Sequence, residues 1–455
     1  MSNGLSCWYT CIRGCEGKQP LDQAIYHCPQ CGGLLDVEHD IDALRSTTAD
    51  EWKSLFLERA RLMQGPDASG VWSKGEWVLP SIDPSCRISL GEGRTPLLSV
   101  PRLAEDIGIG ELWMKQCGTT HTGSFKDLGM TVLVSQLNQM IVNGSPLRAM
   151  VCASTGDTSA ALAAYGAYAG IPTIVLLPNG KISNAQLAQP LAHGAIVVQL
   201  ETDFDGCMGI VEAIANDSQF YLANSKNSLR MEGQKTLAVE ILEQLAWDPP
   251  DWIVIPCGNL GNVSALGKGL MLMKTLGLID HLPRILAAQA ENANPLFRSY
   301  QNGYETFEPQ EARPTLATAI RIGNPVSYER AVKVLQDLDG VVSQASEQAL
   351  CEATAQADLR GLYTCPQTGV ALACLAQEKN VGVIRSTDRV VVISTAHGLK
   401  FTEFKSHNDG SGDSQALSMA HNHPLRISAD VATVREKVLR EIDRRAVRRS
   451  SATAS

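Results

Sequence analysis

Residues 118–127 read Gly-Thr-Thr-His-Thr-Gly-Ser-Phe-Lys-Asp and run directly into an apolar segment, 128–137, that has a helical pattern. Lys126 stands at this junction, beside Phe125. A lysine in such a position can form an imine with an aldehyde cofactor. Because a lysine that precedes a helix is more often a solvated charge, this interpretation depends on the other loops of the chain.

From residue 88 onward, short apolar runs rich in β-branched residues alternate with helical patterns. We predict strands at 147–153, 173–177, 195–200, 221–223, 252–256, 285–289 and 389–395. We predict helices between them at 159–169, 184–193, 206–215, 233–245, 262–278 and 368–377. This alternation predicts an α/β fold with doubly wound, mostly parallel sheets, whose ligands bind at the carboxyl ends of the strands.

Two of these strand ends lead into loops that suit anions. Residues 154–159, Ser-Thr-Gly-Asp-Thr-Ser, place hydroxyls and amides at a helix start, which favours a carboxylate, although a plain capping sequence explains them equally well. Residues 257–262, Cys-Gly-Asn-Leu-Gly-Asn, have the glycines of a phosphate cradle. Since this loop has neither a Walker lysine nor a GxGxxG pattern, we expect it to bind a small phosphate ester rather than ATP or a dinucleotide.

Two more loops complete the set. Residues 224–236 are polar, and Arg230 within them could hold a second anion, unless this is only a solvated helix start. The last predicted strand ends in Ser-Thr-Ala-His-Gly at 394–398, where a hydroxyl could meet a ring nitrogen, whereas His397 alone is more often structural. Together the loops predict a pyridoxal-phosphate enzyme that acts on an amino acid carrying its own phosphate.

A small cysteine-rich module, residues 7–39, precedes this core and is called the N-terminal module below. Cys11, Cys15, Cys28 and Cys31 have the pattern of a four-thiolate zinc ribbon with a structural metal. Cys7 could replace Cys11, and the alternative is a degenerate knuckle without metal. The module carries few basic side chains, which argues against a nucleic-acid role.

The composition is that of an ordinary globular protein. The chain has 455 residues, 44% hydrophobic and 19% charged, with a net charge of −9 that favours neither nucleic acid nor anionic lipid. It has 13 cysteines, and those outside the module stand mostly in apolar settings, as reduced thiols do. We see no apolar run of 18 residues and no secretory signal, and therefore expect a cytoplasmic protein without a membrane partner.

The remaining segments complete the predicted domain organisation. Residues 41–63 read as one amphipathic helix, followed by a Gly/Pro/Trp-rich connector whose two tryptophans either pack on the main body or form a ligand surface. A polar linker at 406–415 and a charged helix at about 428–445 end the chain. We predict a zinc-ribbon-like module (1–40), a helix and connector (41–87), a catalytic core (88–404) with a smaller subdomain at about 135–225, and a C-terminal tail (405–455).

Seven segments resemble the threonine synthases, a family of the tryptophan-synthase-β-like (fold type II) pyridoxal-phosphate enzymes. They are His-Thr-Gly-Ser-Phe-Lys-Asp at 121–127, Ala-Ser-Thr-Gly-Asp-Thr-Ser-Ala at 153–160, the loop at 224–236, Gly-Asn-Leu-Gly-Asn at 258–262, Ile-Gly-Asn-Pro-Val-Ser at 322–327, Pro-Gln-Thr-Gly-Val-Ala-Leu at 366–372 and Ser-Thr-Ala-His-Gly-Leu-Lys-Phe at 394–401. They span roughly residues 70–404, and Asp157 with the segment at 69–74 resembles the plant branch in particular.

The resemblance implies two such sheet domains and a role for each loop. Lys126 would carry the link to pyridoxal 5′-phosphate, with Phe125 beside the ring. The cofactor phosphate would lie on Gly258, Asn259, Leu260, Gly261 and Asn262, the ring nitrogen would face Thr395, and the phenolic oxygen would lie near Asp157. The substrate carboxylate would bind Ser154 and Thr155, and the substrate phosphate would bind Thr158, Asn224, Ser225 and Arg230. The implied reaction is O-phospho-L-homoserine plus water giving L-threonine and phosphate, the last step of threonine biosynthesis.

Two departures from the family pattern accompany this resemblance. Most relatives have Asn at the position of Asp157, and a carboxylate beside a phenolate is repelled unless one of them is protonated. The plant branch lacks the cysteine pairs, while its response to S-adenosylmethionine makes that molecule a candidate effector here, through the connector at 66–80. We also expect a homodimer. The alternatives are a related enzyme, such as a cysteate synthase or an amino-acid dehydratase, and a non-catalytic sensor that binds S-adenosylmethionine or a partner.

Overall fold

The computed structural model describes residues 4–154, 156–179, 184–406 and 425–452. The strands are β1 (Cys7–Cys11), β2 (Leu35–His39), β3 (Leu97–Ser99), β4 (Glu111–Gln116), β5 (Ala149–Ala153), β6 (Thr173–Pro178), β7 (Ile196–Leu200), β8 (Phe220–Leu222), β9 (Trp252–Pro256), β10 (Arg284–Ala290), β11 (Val341–Ala345) and β12 (Arg389–Ser394). The helices are α1 (Ile41–Leu44), α2 (Ala49–Arg59), α3 (Gly75–Val78), α4 (Pro101–Ile107), α5 (Lys126–Val142), α6 (Asp157–Ala169), α7 (Asn184–Ala192), α8 (Phe204–Ile214), α9 (Leu229–Gln234), α10 (Thr236–Gln244), α11 (Gly261–Thr275), α12 (Pro295–Gln301), α13 (Tyr328–Asp337), α14 (Glu347–Leu359), α15 (Pro366–Asn380), α16 (Thr402–Ser406) and α17 (Val431–Ala452).

The large sheet has six strands in the order β11-β10-β9-β12-β4-β3. All neighbours are parallel except β3, which pairs antiparallel with β4 at the edge. Strand β9 is apolar throughout because Ile253 and Ile255 face one core while Trp252 and Val254 face the other. The prediction of a doubly wound α/β fold is therefore confirmed.

The small sheet has four parallel strands in the order β7-β6-β5-β8. Its central strand β5 is fully buried, and the alanine-rich helix α6 that follows it ends at Gly170 in a left-handed conformation. The carboxyl ends of β5 and β8 lead into the predicted ligand-binding loops at 154–159 and 224–236. The domain boundaries proposed from the sequence stay a prediction.

The segment predicted as one helix at 41–63 is instead two helices, α1 and α2, so that prediction is wrong. Thr48 begins α2 with a capping box, in which its hydroxyl accepts from Glu51 N at 3.3 Å while Glu51 Oε2 accepts from Thr48 N at 2.8 Å. The Thr-x-x-Glu spacing was a readable start signal, and it outweighs the amphipathic pattern. The helix predicted at 233–245 is likewise divided, into α9 and α10.

The connector after α2 packs on the main body. Trp72 and Trp77 are buried, and Trp72 Nε1 donates to Thr131 Oγ1 of α5 at 2.8 Å. Trp52 and Phe56 of α2 meet the Trp77 ring edge-on, with ring centres 5.6 and 5.0 Å from it. The packing interpretation of the two tryptophans is therefore supported, and neither ring forms an open ligand surface.

Three strands of the large sheet, β3, β4 and β11, were not predicted. Strand β4 holds Lys115, which is buried and bonds to Glu240 and to Gln244 Oε1 at 2.8 Å. Its polar residues therefore do not look like those of an interior strand. The C-terminal helix α17 is longer than the helix predicted at about 428–445. Most of the linker predicted at 406–415 lies outside the described residues. No helix in the described part of the chain is long and apolar enough to cross a membrane.

Candidate active site

The loop at 118–127 is tied to the carboxyl end of β12. Phe125 N donates to Thr395 O at 2.9 Å, and His397 N donates to Gly123 O at 2.9 Å. Gly118 lies so close to the His397 backbone that any Cβ would clash with it. These contacts bring Thr395 beside the start of α5, where Lys126 stands.

Asp127 holds the shape of this loop, a role that the sequence did not reveal. Its buried carboxylate accepts from Thr122 N at 2.8 Å, from the Thr122 hydroxyl and from Thr120 Oγ1 at 3.1 Å. Burial raises the pKa of Asp127 to about 6, against the opposing effect of these hydrogen bonds. The acid that follows the lysine therefore folds the loop instead of pairing with that lysine.

Lys126 is the first residue of α5 and is half-buried, with Nζ 4.3 Å from the centre of the Phe125 ring. Burial, together with the positive charge of Arg230, lowers the pKa of Lys126 to about 7. An appreciable share of the amine is therefore unprotonated at neutral pH, as a nucleophile or base requires. This geometry favours the reactive lysine over the solvated charge.

The loop at 257–262 forms a close turn after β9. Leu260 has a left-handed φ of 64°, and a Cβ on Gly258 would lie 2.7 Å from Ile320 Cα. Helix α11 begins at Gly261 with no side chain capping its first amides. Those amides remain available to an anion, which supports the phosphate cradle.

Asn259 and Asn262 fix this cradle rather than project from it. Asn259 Nδ2 donates to Ser225 Oγ at 2.9 Å, and Asn259 Oδ1 accepts from Val326 N at 2.6 Å. Asn262 Nδ2 donates back to Pro256 O at 2.8 Å. The cradle is therefore linked directly to the loop that follows β8.

Arg230 is buried on α9 with spare hydrogen-bonding capacity. Its two terminal nitrogens donate to Ala223 O at 3.3 Å and to Thr158 Oγ1 at 3.2 Å, while Nε has no partner. Burial lowers the pKa of Arg230 to about 10, so it stays charged at neutral pH. Among the described residues no carboxylate pairs with it. A buried cation with an unused donor is a candidate anion-binding group.

Glu232, the acid two residues after Arg230 on the same helix, does not pair with it. The Glu232 carboxylate instead binds His39 at 2.8 Å, Lys268 at 2.6 Å and Lys235. Glycines bring α9 against α5, since a Cβ on Gly129 would lie 2.7 Å from Arg230 O. The helix of the reactive lysine and the helix of the arginine are thus in backbone contact.

Other predicted ligands surround these two groups. Asn224 uses its amide on the backbone of Ala153, accepting from N at 3.0 Å and donating to O at 2.8 Å, and so ties β8 to the end of β5. Ser154 is half-buried, and its Oγ accepts from Gly156 N at 3.3 Å. Thr155 lies outside the described residues. The roles of Ser154, Thr155 and Asn224 as ligands stay predictions.

The thiol of Cys365 contacts the Thr395 hydroxyl, and no sequence motif indicated it. Cys365 Sγ lies 3.8 Å from Thr395 Oγ1 and 3.1 Å from Thr368 Oγ1, and Thr368 Oγ1 donates to Ser394 Oγ at 3.2 Å. All four side chains are buried. The Thr395 hydroxyl is therefore part of an ordered polar row at the end of β12.

Lys400 supplies the positive charge that Asp157 needs. Its Nζ lies 3.4 Å from Asp157 Oδ1 and also donates to Thr122 O at 2.9 Å and to Gln189. Asp157 is buried at the start of α6. The repulsion expected between this carboxylate and a phenolate is therefore offset by a neighbouring ammonium that no motif indicated.

The residues present fit a phosphorylated aldehyde cofactor. The site combines a lysine of lowered pKa, uncapped amides at the start of α11 and a buried hydroxyl at Thr395. Arg230 adds a second anion-binding group beside them. Two candidate anion sites near one lysine would suit a phosphorylated cofactor and a phosphorylated substrate.

Separately, the sulfur atoms of Cys11, Cys15, Cys28 and Cys31 all lie within 4.8 Å of one another. Backbone amides approach two of them, since Arg13 N donates to Cys11 Sγ and Gly33 N donates to Cys31 Sγ, each at 3.4 Å. Cys7 lies at the other end of β1 from Cys11, opposite His39. The cluster could hold a metal ion, and it contains Cys11 rather than Cys7.

Residues 88–396 match the family model described as pyridoxal-phosphate dependent enzyme. The chain is 49% identical over 423 residues to threonine synthase 2, chloroplastic, of Arabidopsis thaliana, covering 92% of this chain and 82% of that protein. It is 37% identical over 433 residues to the threonine synthase of Methanocaldococcus jannaschii, covering 95% and 99%. The Escherichia coli threonine synthase structure superposes with a TM-score of 0.67 at 20% identity, covering 96% of this chain and 100% of that one, a likeness in fold.

Proposed function

The chain belongs to the pyridoxal-phosphate dependent enzymes and, among them, to the threonine synthases, and we propose a role for each part of its site in that activity. The protein is a lyase that converts O-phospho-L-homoserine and water to L-threonine and phosphate. The observation that carries the assignment of roles is the unpaired, buried Arg230 beside a lysine whose pKa is about 7.

Pyridoxal 5′-phosphate, when bound, takes up the electrons that remain on carbon after a proton is removed. Lys126 would hold its aldehyde carbon, and the amides at 258–262 would hold its phosphate. Thr395 would offer its hydroxyl to the ring nitrogen, which does not force that nitrogen to be protonated. Phe125 would lie by the ring, and Asp157, paired with Lys400, would lie near the phenolic oxygen.

Once freed by the incoming amino acid, the Lys126 amine is the base that removes the α proton and later returns protons. A pKa near 7 suits both tasks, because the amine is then easily charged and discharged at neutral pH. The nearby Arg230 cation favours the neutral amine. The same arginine thereby supports proton transfer as well as substrate binding.

Arg230 and Thr158 form the core of the proposed substrate phosphate site, since they already contact each other at 3.2 Å. Ser225 and Asn224 would complete it from the loop after β8. These donors would bind the phosphate in the substrate and stabilise it further as it leaves. Ser154 and Thr155, at the start of α6, would take the substrate carboxylate.

One experiment tests this assignment against the related enzymes. Purified protein with its cofactor is given O-phospho-L-homoserine, and both phosphate release and the amino-acid product are measured. L-Threonine and phosphate in equal amounts support the assignment, whereas an oxo acid would indicate a dehydratase. Release of phosphate from O-phosphoserine alone would indicate the cysteate synthase alternative, and no turnover at all would indicate the non-catalytic sensor.

A structural zinc ion in the four-cysteine cluster is part of the proposal. It is supported by the clustering of the four sulfur atoms within 4.8 Å and by the two amide contacts to sulfur. An N-terminal module of this size has little core of its own, so a metal would stabilise it. Four protein ligands leave no position for a substrate, and the metal would have no catalytic part.

Three further expectations from the sequence stay predictions. They are the homodimer, the response to S-adenosylmethionine and the cytoplasmic location; the Arabidopsis relative is described as chloroplastic. The connector that was to bind the effector has its tryptophans buried against the body. A binding site there would need another surface.

A further inference from the structure

The segment that carries the proposed phosphate ligands takes its position from its neighbours, since Asn224 is bonded to Ala153, Ser225 to Asn259, and α9 lies against α5. It runs from β8 through Asn224 and Ser225 into α9, which has six residues and no side-chain cap at Ser228. A helix this short is not stable alone and takes its position from its neighbours. The position of Arg230 therefore depends on α5 and on the other elements that hold this segment.

The N-terminal module holds the first end and the start of the helix. Tyr26 Oη accepts from Leu222 N at 2.8 Å, on the open edge of the small sheet. Ser228 Oγ donates to Leu35 O in β2, and Arg330 of α13 donates to the same carbonyl and to Ser228 Oγ at 3.0 Å. These contacts lie eight residues and two residues before Arg230 in the chain.

The module also holds the far side of α9 through a buried charge cluster. His39 Nε2 lies 2.8 Å from Glu232 Oε2 and 2.9 Å from Lys235 Nζ. Lys268 binds Glu232 Oε1 at 2.6 Å and Asp36 Oδ1 in β2 at 2.9 Å. Burying charges is favourable only when each keeps its partners, so this cluster tolerates a single arrangement of α9 against β2.

We propose that the N-terminal module positions the substrate phosphate clamp, with Tyr26 and His39 as its positioning residues. Neither side chain touches the reacting atoms; both act through the backbone that carries Arg230. Misplacement of a binding group by about 1 Å can cost a hundredfold in rate, so small shifts here are measurable. This role rests on the proposed function, because it concerns the phosphate of the substrate.

The test uses the holoenzyme and four variants, one of them a control, at a temperature well below unfolding. Tyr26→Phe keeps the ring that lies 6.0 Å from the Tyr221 ring and removes only the hydroxyl. His39→Leu removes the contacts to Glu232 and Lys235, and His39→Gln restores a polar side chain. Arg13→Ala is the matched control, because Arg13 belongs to the same module but pairs with the exposed Glu329.

Two quantities separate positioning from general stability. The first is the Kd of inorganic phosphate, measured by calorimetry as a substrate mimic, and the second is KM for O-phospho-L-homoserine. We expect both to rise about tenfold or more in Tyr26→Phe and His39→Leu. His39→Gln should recover part of this loss. The visible absorbance of the cofactor and the slow deamination of L-serine, which has no phosphate, should stay unchanged, and Arg13→Ala should match wild type.

An unchanged phosphate Kd in Tyr26→Phe would overturn the positioning role, as would equal losses on the phosphorylated and unphosphorylated amino acids. If His39→Leu does not fold, Tyr26→Phe alone decides the question. Wild-type protein that binds phosphate but does not convert O-phospho-L-homoserine would refute the proposed function instead. The two failures are therefore distinguishable.

Discussion

Arg230→Ala removes a buried guanidinium whose described partners are the Ala223 carbonyl at 3.3 Å and Thr158 Oγ1 at 3.2 Å. Leaving two neutral acceptors unpaired costs about 1–3 kcal/mol each at most, so the variant should fold. A charge-assisted contact that strengthens as phosphate leaves is worth roughly 3–5 kcal/mol. At about 1.4 kcal/mol per power of ten, kcat/KM for O-phospho-L-homoserine should fall by about two to four powers of ten.

The assay follows phosphate release, with the cofactor spectrum recorded for each variant. Arg230→Lys should recover little, since an ammonium keeps the charge but loses the forked geometry. Lys226→Ala is the matched control, because it removes a cation from the same loop that already pairs with Glu212 at 2.7 Å. Deamination of L-serine should be nearly unchanged in Lys226→Ala and Arg230→Lys. In Arg230→Ala it should fall much less than phosphate release, because only the effect of the arginine charge on the Lys126 pKa is lost. Equal losses on both substrates would refute the clamp and leave Arg230 a structural residue.

Three other predictions follow from the site and the cysteine cluster. Borohydride should fix the cofactor to Lys126, and the rate at which cofactor-free protein binds it should rise through about pH 7, where the lysine loses its proton; label on another lysine would contradict this. Metal analysis should find about one zinc per chain, and chelation should lower the melting temperature more than kcat, unless metal-free protein proves equally stable. Lys400→Met should weaken cofactor binding about tenfold by leaving Asp157 unpaired, and Asp157→Asn in the same chain should restore much of it; no recovery would show that Lys400 acts through Thr122 and Gln189 instead.

The sequence predicted the parts of the core whose pattern is decided locally. Strand β9 was predicted to the residue, because an apolar β-branched run between turn residues has few other solutions. Strand β4 was missed because its lysine is neutralised by Glu240, a residue 125 positions away in the chain. The 41–63 helix was wrong because one local signal, the capping box at Thr48, outweighed the periodic pattern.

The candidate site likewise contains residues that local motifs indicate and residues that only the fold brings together. Motifs indicated Lys126, Arg230 and the cradle at 257–262, because reactive residue types on glycine-bearing loops can be recognised from the sequence alone. They could not indicate Cys365 or Lys400, whose importance lies in which side chain they meet. They could not decide the partner of Glu232 either. That choice was made by β2 and α11, which bring His39 and Lys268 to it from distant segments.

The charges of the site are arranged so that each one is either paired or left for a ligand. Glu232 lies two residues from Arg230, yet it is fully engaged by His39, Lys235 and Lys268. Residues two apart on a helix do not face each other, so Glu232 meets His39 of β2 while Arg230 meets Thr158 of α6. The buried cluster therefore engages this carboxylate on another side of α9, and no described carboxylate pairs with Arg230. An arginine held charged, buried and unpaired in this way gains most when an anion arrives, which is the property that a phosphate-bearing substrate requires.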